Sequence, residues 1–169
     1  MSYRILLVGC GNVGSRHLQA LAKIPFSLKI DIIEPNPSSK KLGLSRLDEI
    51  SYNKKTKIIS WYNHYTSEII NSDLVIISTL AKNRVNLLIK LIKNGHKRIL
   101  CEKYVCQSKN QYEKIIKISK TNKVKIWVNT NPRSFNSYVK LKKILSQNKP
   151  INLTVYSNSQ LGLGTNIIH

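Results

Sequence analysis

The chain has 169 residues, enough for one ordinary domain whose core needs no disulfide or structural metal. Its 28 basic residues against 8 acidic give a formal charge of +20, but the lysines are scattered amid a general excess of Ile and Asn. That distribution argues against a dedicated nucleic-acid face and leaves only weak, salt-sensitive adhesion to polyanions.

Residues 3–8 (YRILLV) form an apolar run that ends in the glycine turn of Gly9, Gly11 and Gly14, and residues 12–23 follow with helical spacing through Val13, Leu18, Leu21 and Ala22. A second run at 28–33 stops at GluProAsnPro, where two prolines end the strand. Residues 57–61 make a third strand, and the nearly continuous apolar run at 74–80 a fourth. Val85, Leu88, Ile89 and Ile92 share one face of a helix over 83–93, closed by Asn94 and Gly95. A fifth strand at 98–101, a helix over 109–120 and a sixth strand at 124–128 continue the alternation. Strand and helix alternating over short connections, with strands apolar on both faces, predict an α/β fold with a doubly wound, mostly parallel sheet. After Pro132 a further helix carries Tyr138, Leu141, Ile144 and Leu145, and 151–157 reads as a last, alternating strand with no helix after it.

The three cysteines, Cys10, Cys101 and Cys106, have neither disulfide-framework nor metal-ligand spacing, so no metal site is expected. The N-terminus lacks a cleavable signal pattern, and no apolar run approaches the ~18 residues that span a bilayer. A soluble, cytoplasmic protein with no membrane partner is the expectation.

Gly9, Gly11 and Gly14, with Asn12 and Val13 between them, fit GxGxxG directly between a predicted strand and a predicted helix. Such a turn lets a backbone approach a pyrophosphate at a helix N-terminus. Glu34 stands at the end of the second strand, where a carboxylate accepts hydrogen bonds from an adenosine ribose. The pair predicts a dinucleotide site. A carboxylate at 34 repels a 2′-phosphate and favours NAD, while Asn36, Ser38, Lys40 and Lys41 keep NADP open.

Several segments agree with one family. GlyCysGlyAsnValGlySerArgHis at 9–17, SerThrLeuAlaLysAsnArg at 78–84 and AsnGlyHisLysArgIleLeuCysGluLysTyr at 94–104 resemble the Gfo/Idh/MocA oxidoreductases, in which a strand ends in GluLysPro. The resemblance implies a Rossmann NAD(P)-binding domain. It makes Lys103 the catalytic lysine that hydrogen-bonds the reacting hydroxyl, and places Glu102 near the nicotinamide ribose and Thr79 in the cofactor pocket. Asn131 and Arg133, in a segment similar to the family's strand-six exit, would approach the nicotinamide, although Pro132 equally reads as the start of a helix with Arg133 in solvent. His169 would be the general base. The chain departs from the family at Leu80 and Arg84, where Pro and His are usual, at Tyr104 in place of Pro, and at Thr165 where many members have Asp.

The expectation is a dinucleotide-binding domain over 1–131, then over 132–169 the connecting helix and first strand of a truncated α+β substrate and oligomerisation domain. By resemblance its activity is NAD(P)-dependent hydride transfer to or from a secondary hydroxyl of a sugar, cyclitol or nucleotide-linked sugar, in a chain that would form a homo-oligomer. The alternative is a non-catalytic dinucleotide-binding module, either a remnant or half of a split enzyme.

Overall fold

The computed structural model describes residues 2–66, 69, 71–130 and 135–147. The chain forms two compact units, Met1–Val128 and Asn129–His169.

In the first unit six strands alternate with four helices: β1 (Ser2–Val8), α1 (Gly14–Lys23), β2 (Ser27–Ile33), α2 (Pro37–Asp48), β3 (Lys57–Tyr62), β4 (Leu74–Ile77), α3 (Arg84–Lys93), β5 (Arg98–Cys101), α4 (Lys109–Thr121) and β6 (Lys125–Val128). The spatial order is β3-β2-β1-β4-β5-β6, and every neighbouring pair is parallel. This is the doubly wound α/β arrangement predicted from the alternation. The register brings Val8 opposite both Ile33 and Ile77, and Ile77 opposite Cys101, so the carboxyl ends of β2, β1, β4 and β5 finish on one line. Chain order reverses between β1 and β4, which opens a crevice at that edge.

Successive side chains of a strand point to opposite faces, and here both faces are covered. Leu6 and Leu7 are each fully buried, Leu6 with Val75, Ile77, Leu88 and Leu91 and Leu7 with Leu18, Leu21, Ile30 and Ile32. Each such side chain contributes about 1.5–3 kcal/mol relative to exposure. Helix α3 buries Val85, Leu88, Leu91 and Ile92 and stops where Gly95 takes φ +91°, a conformation that favours glycine. Helix α4 is capped by Ser108, whose hydroxyl accepts from the Gln111 amide at 3.3 Å.

Most element ends agree with the sequence reading to within a residue or two, and one helix is new. The fourth strand ends at Ile77 rather than residue 80, because β1 and β5 offer no partners beyond Val8 and Cys101; Leu80, the last residue of that apolar run, is 88% exposed. The third runs one residue further, to Tyr62. Helix α2 was not predicted at all. It is set by local chemistry: Asn36 caps it, its Oδ1 accepting from the Ser38 amide at 2.9 Å and the Ser39 amide at 3.4 Å, and Pro37 supplies the first helical residue.

In the second unit, Asn136–Gln147 forms α5, preceded by Phe135, whose ring meets Tyr138 edge-on at 6.3 Å. The strand predicted at 151–157 lies outside the described residues. Among the described residues no helix is long and apolar enough to cross a membrane, and no group of His, Cys, Asp and Glu is placed to hold a metal ion.

Candidate functional site

The crevice at the carboxyl ends of the strands is a groove of about 910 Å³ whose walls include Gly9, Gly11, Asn12, Val13, Glu34, Thr79, Arg84, Glu102 and Lys103. It begins at the turn after β1. Gly9 takes φ +87°, and a Cβ there would lie 3.1 Å from the main chain of Ser78 and Thr79. Gly14 packs against the turn itself: a Cβ there would stand 2.1 Å from the Gly9 carbonyl oxygen, so no side chain fits. Gly11 is different. A Cβ there would meet only the Ser39 hydroxyl, at 3.9 Å, and otherwise open space.

Helix α1 has Val13 as N-cap with no side-chain cap. The amides of Gly11, Asn12, Val13 and Gly14 donate to no acceptor among the described residues. Unpaired amides at a helix start carry partial positive charge and suit an anion. The turn is held from outside by Arg46 of α2, which donates to the Asn12 carbonyl and to the Ser15 hydroxyl, each at 2.5 Å.

Glu34 is 8% exposed, and its carboxylate accepts from the Cys10 amide at 2.6 Å and the Asn36 amide at 2.9 Å. It is thus bolted between the glycine turn and the cap of α2. An ionised carboxylate has about four acceptor positions, so two remain for a ligand hydroxyl. Burial first, and then the Glu34 charge, push the neighbouring Cys10 thiol up to about 12. Burial likewise pushes Cys101 to about 11. Both stay protonated near neutral pH and act as packing, not as nucleophiles. Of the residues that kept a 2′-phosphate open, Asn36 and Ser38 line the groove, while Lys40 lies over the Trp61 ring at 5.7 Å.

At the other end, the Glu102 amide donates to the Ile77 carbonyl at 2.9 Å, the last ladder bond between β4 and β5. Its Oε1 lies 2.8 Å from His17 Nε2, and the two side chains are 12% and 17% exposed. Glu102 and Lys103 line the same groove, and the Lys103–Tyr104 peptide is cis. Arg84, at the start of α3, is 3% exposed; its guanidinium donates to the carbonyls of Glu102 (2.6 Å), Tyr104 and Thr79.

Of the residues singled out in the sequence, Gly9, Gly11, Asn12, Val13, Glu34, Thr79, Glu102 and Lys103 line one groove, with Gly14 packed beneath the turn. Asn131, Arg133 and His169 lie outside the described residues. The bracing by Arg46 and Arg84 was not anticipated. Neither was Gly43, where a Cβ would stand 2.7 Å from Cys10 Sγ and 2.8 Å from Trp61. Only Arg84, conspicuous as a departure at 84, gave any signal.

These features fit an extended dinucleotide: open amides at α1 for a diphosphate, a fixed carboxylate at the end of β2 for a ribose, and a second polar corner beyond β4 and β5. They define a Rossmann-type nucleotide-binding domain. Residues 3–130 match the Gfo/Idh/MocA model, described as an oxidoreductase family with NAD-binding Rossmann fold, and the chain belongs to that family. No curated protein sequence matches the chain. Among solved structures it is similar to the WlbA dehydrogenase from Chromobacterium violaceum in complex with NADH and UDP-GlcNAcA (TM-score 0.71, 19% identity, 86% of this chain and 40% of that one). It is similar too to myo-inositol 2-dehydrogenase from Lactobacillus plantarum (0.70, 18%, 87% and 42%). A third is scyllo-inositol dehydrogenase from Lactobacillus casei with NAD(H) and scyllo-inositol (0.66, 15%, 87% and 42%). The chain therefore spans about 40% of the length of these structures.

Proposed function

We propose that this chain is the coenzyme-binding portion of an NAD-dependent oxidoreductase acting on a secondary hydroxyl of a sugar, cyclitol or nucleotide-linked sugar. The observation that carries the reading is that the groove running from the open glycine turn also takes in Glu102 and Lys103 at the end of β5. Two opposite charges at the close of a buried parallel strand are explained by a ligand there, where open α/β sheets bind them.

Gly9, Gly11, Asn12, Val13 and Gly14 would receive the diphosphate, Glu34 the adenosine ribose, and Thr79, Glu102, Asn131 and Arg133 the nicotinamide end. When bound, the coenzyme supplies a hydride acceptor or donor. Lys103 would donate a hydrogen bond to the reacting oxygen and stabilise charge growing on it. His169, by family resemblance, would take the hydroxyl proton. A carboxylate at 34 favours NAD over NADP through repulsion of a 2′-phosphate. Residues 132–169 would form the connecting helix and first strand of a substrate and oligomerisation domain, and the protein would work in the cytoplasm as a homo-oligomer, without specific nucleic-acid or membrane partners.

The glycine turn and Glu34 alone would suffice for a second reading, a dinucleotide-binding module without turnover of its own. Calorimetric titration with NAD and NADH tests the coenzyme claim, for which micromolar binding is expected; no heat at millimolar coenzyme would overturn both readings. NADH production from a panel of sugars and inositols would support the first, and binding without turnover the second.

A further inference from the structure

We propose that Arg84 is a positioning residue for the nicotinamide half of the groove, an inference that rests on the coenzyme reading above. The ladder between β4 and β5 closes at the Glu102 amide and Ile77 carbonyl, and beyond it the two exits diverge. One carries Thr79, the other Glu102, Lys103 and Tyr104. Arg84 rejoins them: one guanidinium donates to the carbonyls of Thr79, Glu102 and Tyr104, and so fastens the main chain on both sides of Lys103. A planar fork with donors on separate nitrogens spans carbonyls from two loops; an ammonium on a flexible stem concentrates its donors at one point and does not.

The burial is costly for a residue that only fills space. Arg84 is 3% exposed, forms no ion pair with a carboxylate among the described residues, and leaves its Nε without a hydrogen-bond partner. Burying a guanidinium against neutral carbonyls alone costs desolvation that no opposite charge offsets. Its place on the groove wall beside Glu102 and Lys103 points to what recovers the cost, a fixed shape for the corner that meets the ligand. The glycine turn has its own brace, Arg46 on the Asn12 carbonyl and Ser15 hydroxyl, so the two halves of the groove are held separately.

This separation gives the test. ADP engages the glycine turn and Glu34 alone, whereas NADH needs both halves. Binding of ADP and NADH to the full chain is measured by calorimetry for wild type, R84Q and R84K, with circular dichroism to check folding. Both substitutions should weaken NADH by about tenfold or more while leaving ADP within about twofold of wild type. If R84K binds NADH like wild type, charge and not the fork matters, and the proposal fails. Equal loss of ADP and NADH, or unfolding of both variants, would make Arg84 a residue of the fold alone and also overturn it. Wild-type protein that binds neither ligand would instead bring down the coenzyme reading, and the inference with it.

Discussion

Gly11 and Gly14 sit three residues apart in one turn, yet substitution should affect them in opposite ways. At Gly11 a new Cβ meets nothing closer than the Ser39 hydroxyl at 3.9 Å, and the backbone is not in the left-handed region. A side chain there costs the fold little, and the smaller entropy of the unfolded chain can return about 0.4–1 kcal/mol. It projects into the groove where open amides await a diphosphate. Gly11→Val should therefore keep its thermal midpoint within roughly 3 °C of wild type and lose at least about 100-fold in NADH affinity, about 2.7 kcal/mol. At Gly14 a Cβ would lie 2.1 Å from the Gly9 carbonyl oxygen and 2.6 Å from the Ser78 hydroxyl. Gly14→Ala must push main chain aside, at about 2–3 kcal/mol, a drop of roughly 5–10 °C. Thermal melts by circular dichroism and fluorescence titration with NADH read the two effects separately. Wild-type NADH affinity in Gly11→Val would refute the placement of the diphosphate, and a midpoint as low as that of Gly14→Ala would refute the open space above Gly11.

Stability should fall as pH drops below about 6.5. Burial first, and then the charge of Arg4, hold His96 below the ordinary 6.5, so in acid the unfolded chain binds the proton more readily. The contribution is complete above 6.5 and is lost as pH falls toward the folded value; urea midpoints between pH 8 and 5 measure it, and a His96→Gln variant with the same slope would disprove the assignment. Native protein at pH 8 should react with a thiol reagent only at Cys106, because Cys10 and Cys101 are fully buried and their thiols are raised to about 12 and 11. Rapid modification of three thiols before unfolding would contradict this. Glu34→Gln replaces one acceptor oxygen by a donor facing a main-chain amide, and should cost about 1–3 kcal/mol while narrowing the preference for NAD over NADP. An unchanged urea midpoint would show that the two amide contacts do not matter.

The strands of the sheet were legible because burial on both faces leaves a continuous apolar run, as in Leu6 and Leu7. Helix α2 was not, since it buries only Gly43 and Leu47 and joins α1 through polar contacts, with Gln19 Nε2 donating to the Arg46 carbonyl at 2.5 Å and to Glu49 at 3.0 Å. Its signal was the cap Asn36 and Pro37, not periodicity. At the site, the glycines stood out because their spacing is fixed by local turn chemistry, Glu34 because it closes the second strand, and Glu102 and Lys103 because two charges end a buried strand in a segment that resembles the family's. The bracing by Arg46 and Arg84 did not stand out, for it runs largely to carbonyls distant in sequence: Asn12 lies 34 positions from Arg46, and Glu102 lies 18 from Arg84. A main-chain acceptor leaves no trace in side-chain identity.

Arg84 stands where His is usual in the family, and Tyr104 where Pro is usual, and the two meet: the Arg84 guanidinium donates to the Tyr104 carbonyl. Proline constrains a loop through its own ring. Here Tyr104 lacks that ring, and the exit of β5 is tied instead from outside, by a donor on α3. A ring at 104 would hold the corner without the guanidinium, so Tyr104→Pro should partly restore NADH binding to Arg84→Gln while doing nothing for Gly11→Val. If Tyr104→Pro left Arg84→Gln as weak as before, the two positions would be energetically independent despite their contact.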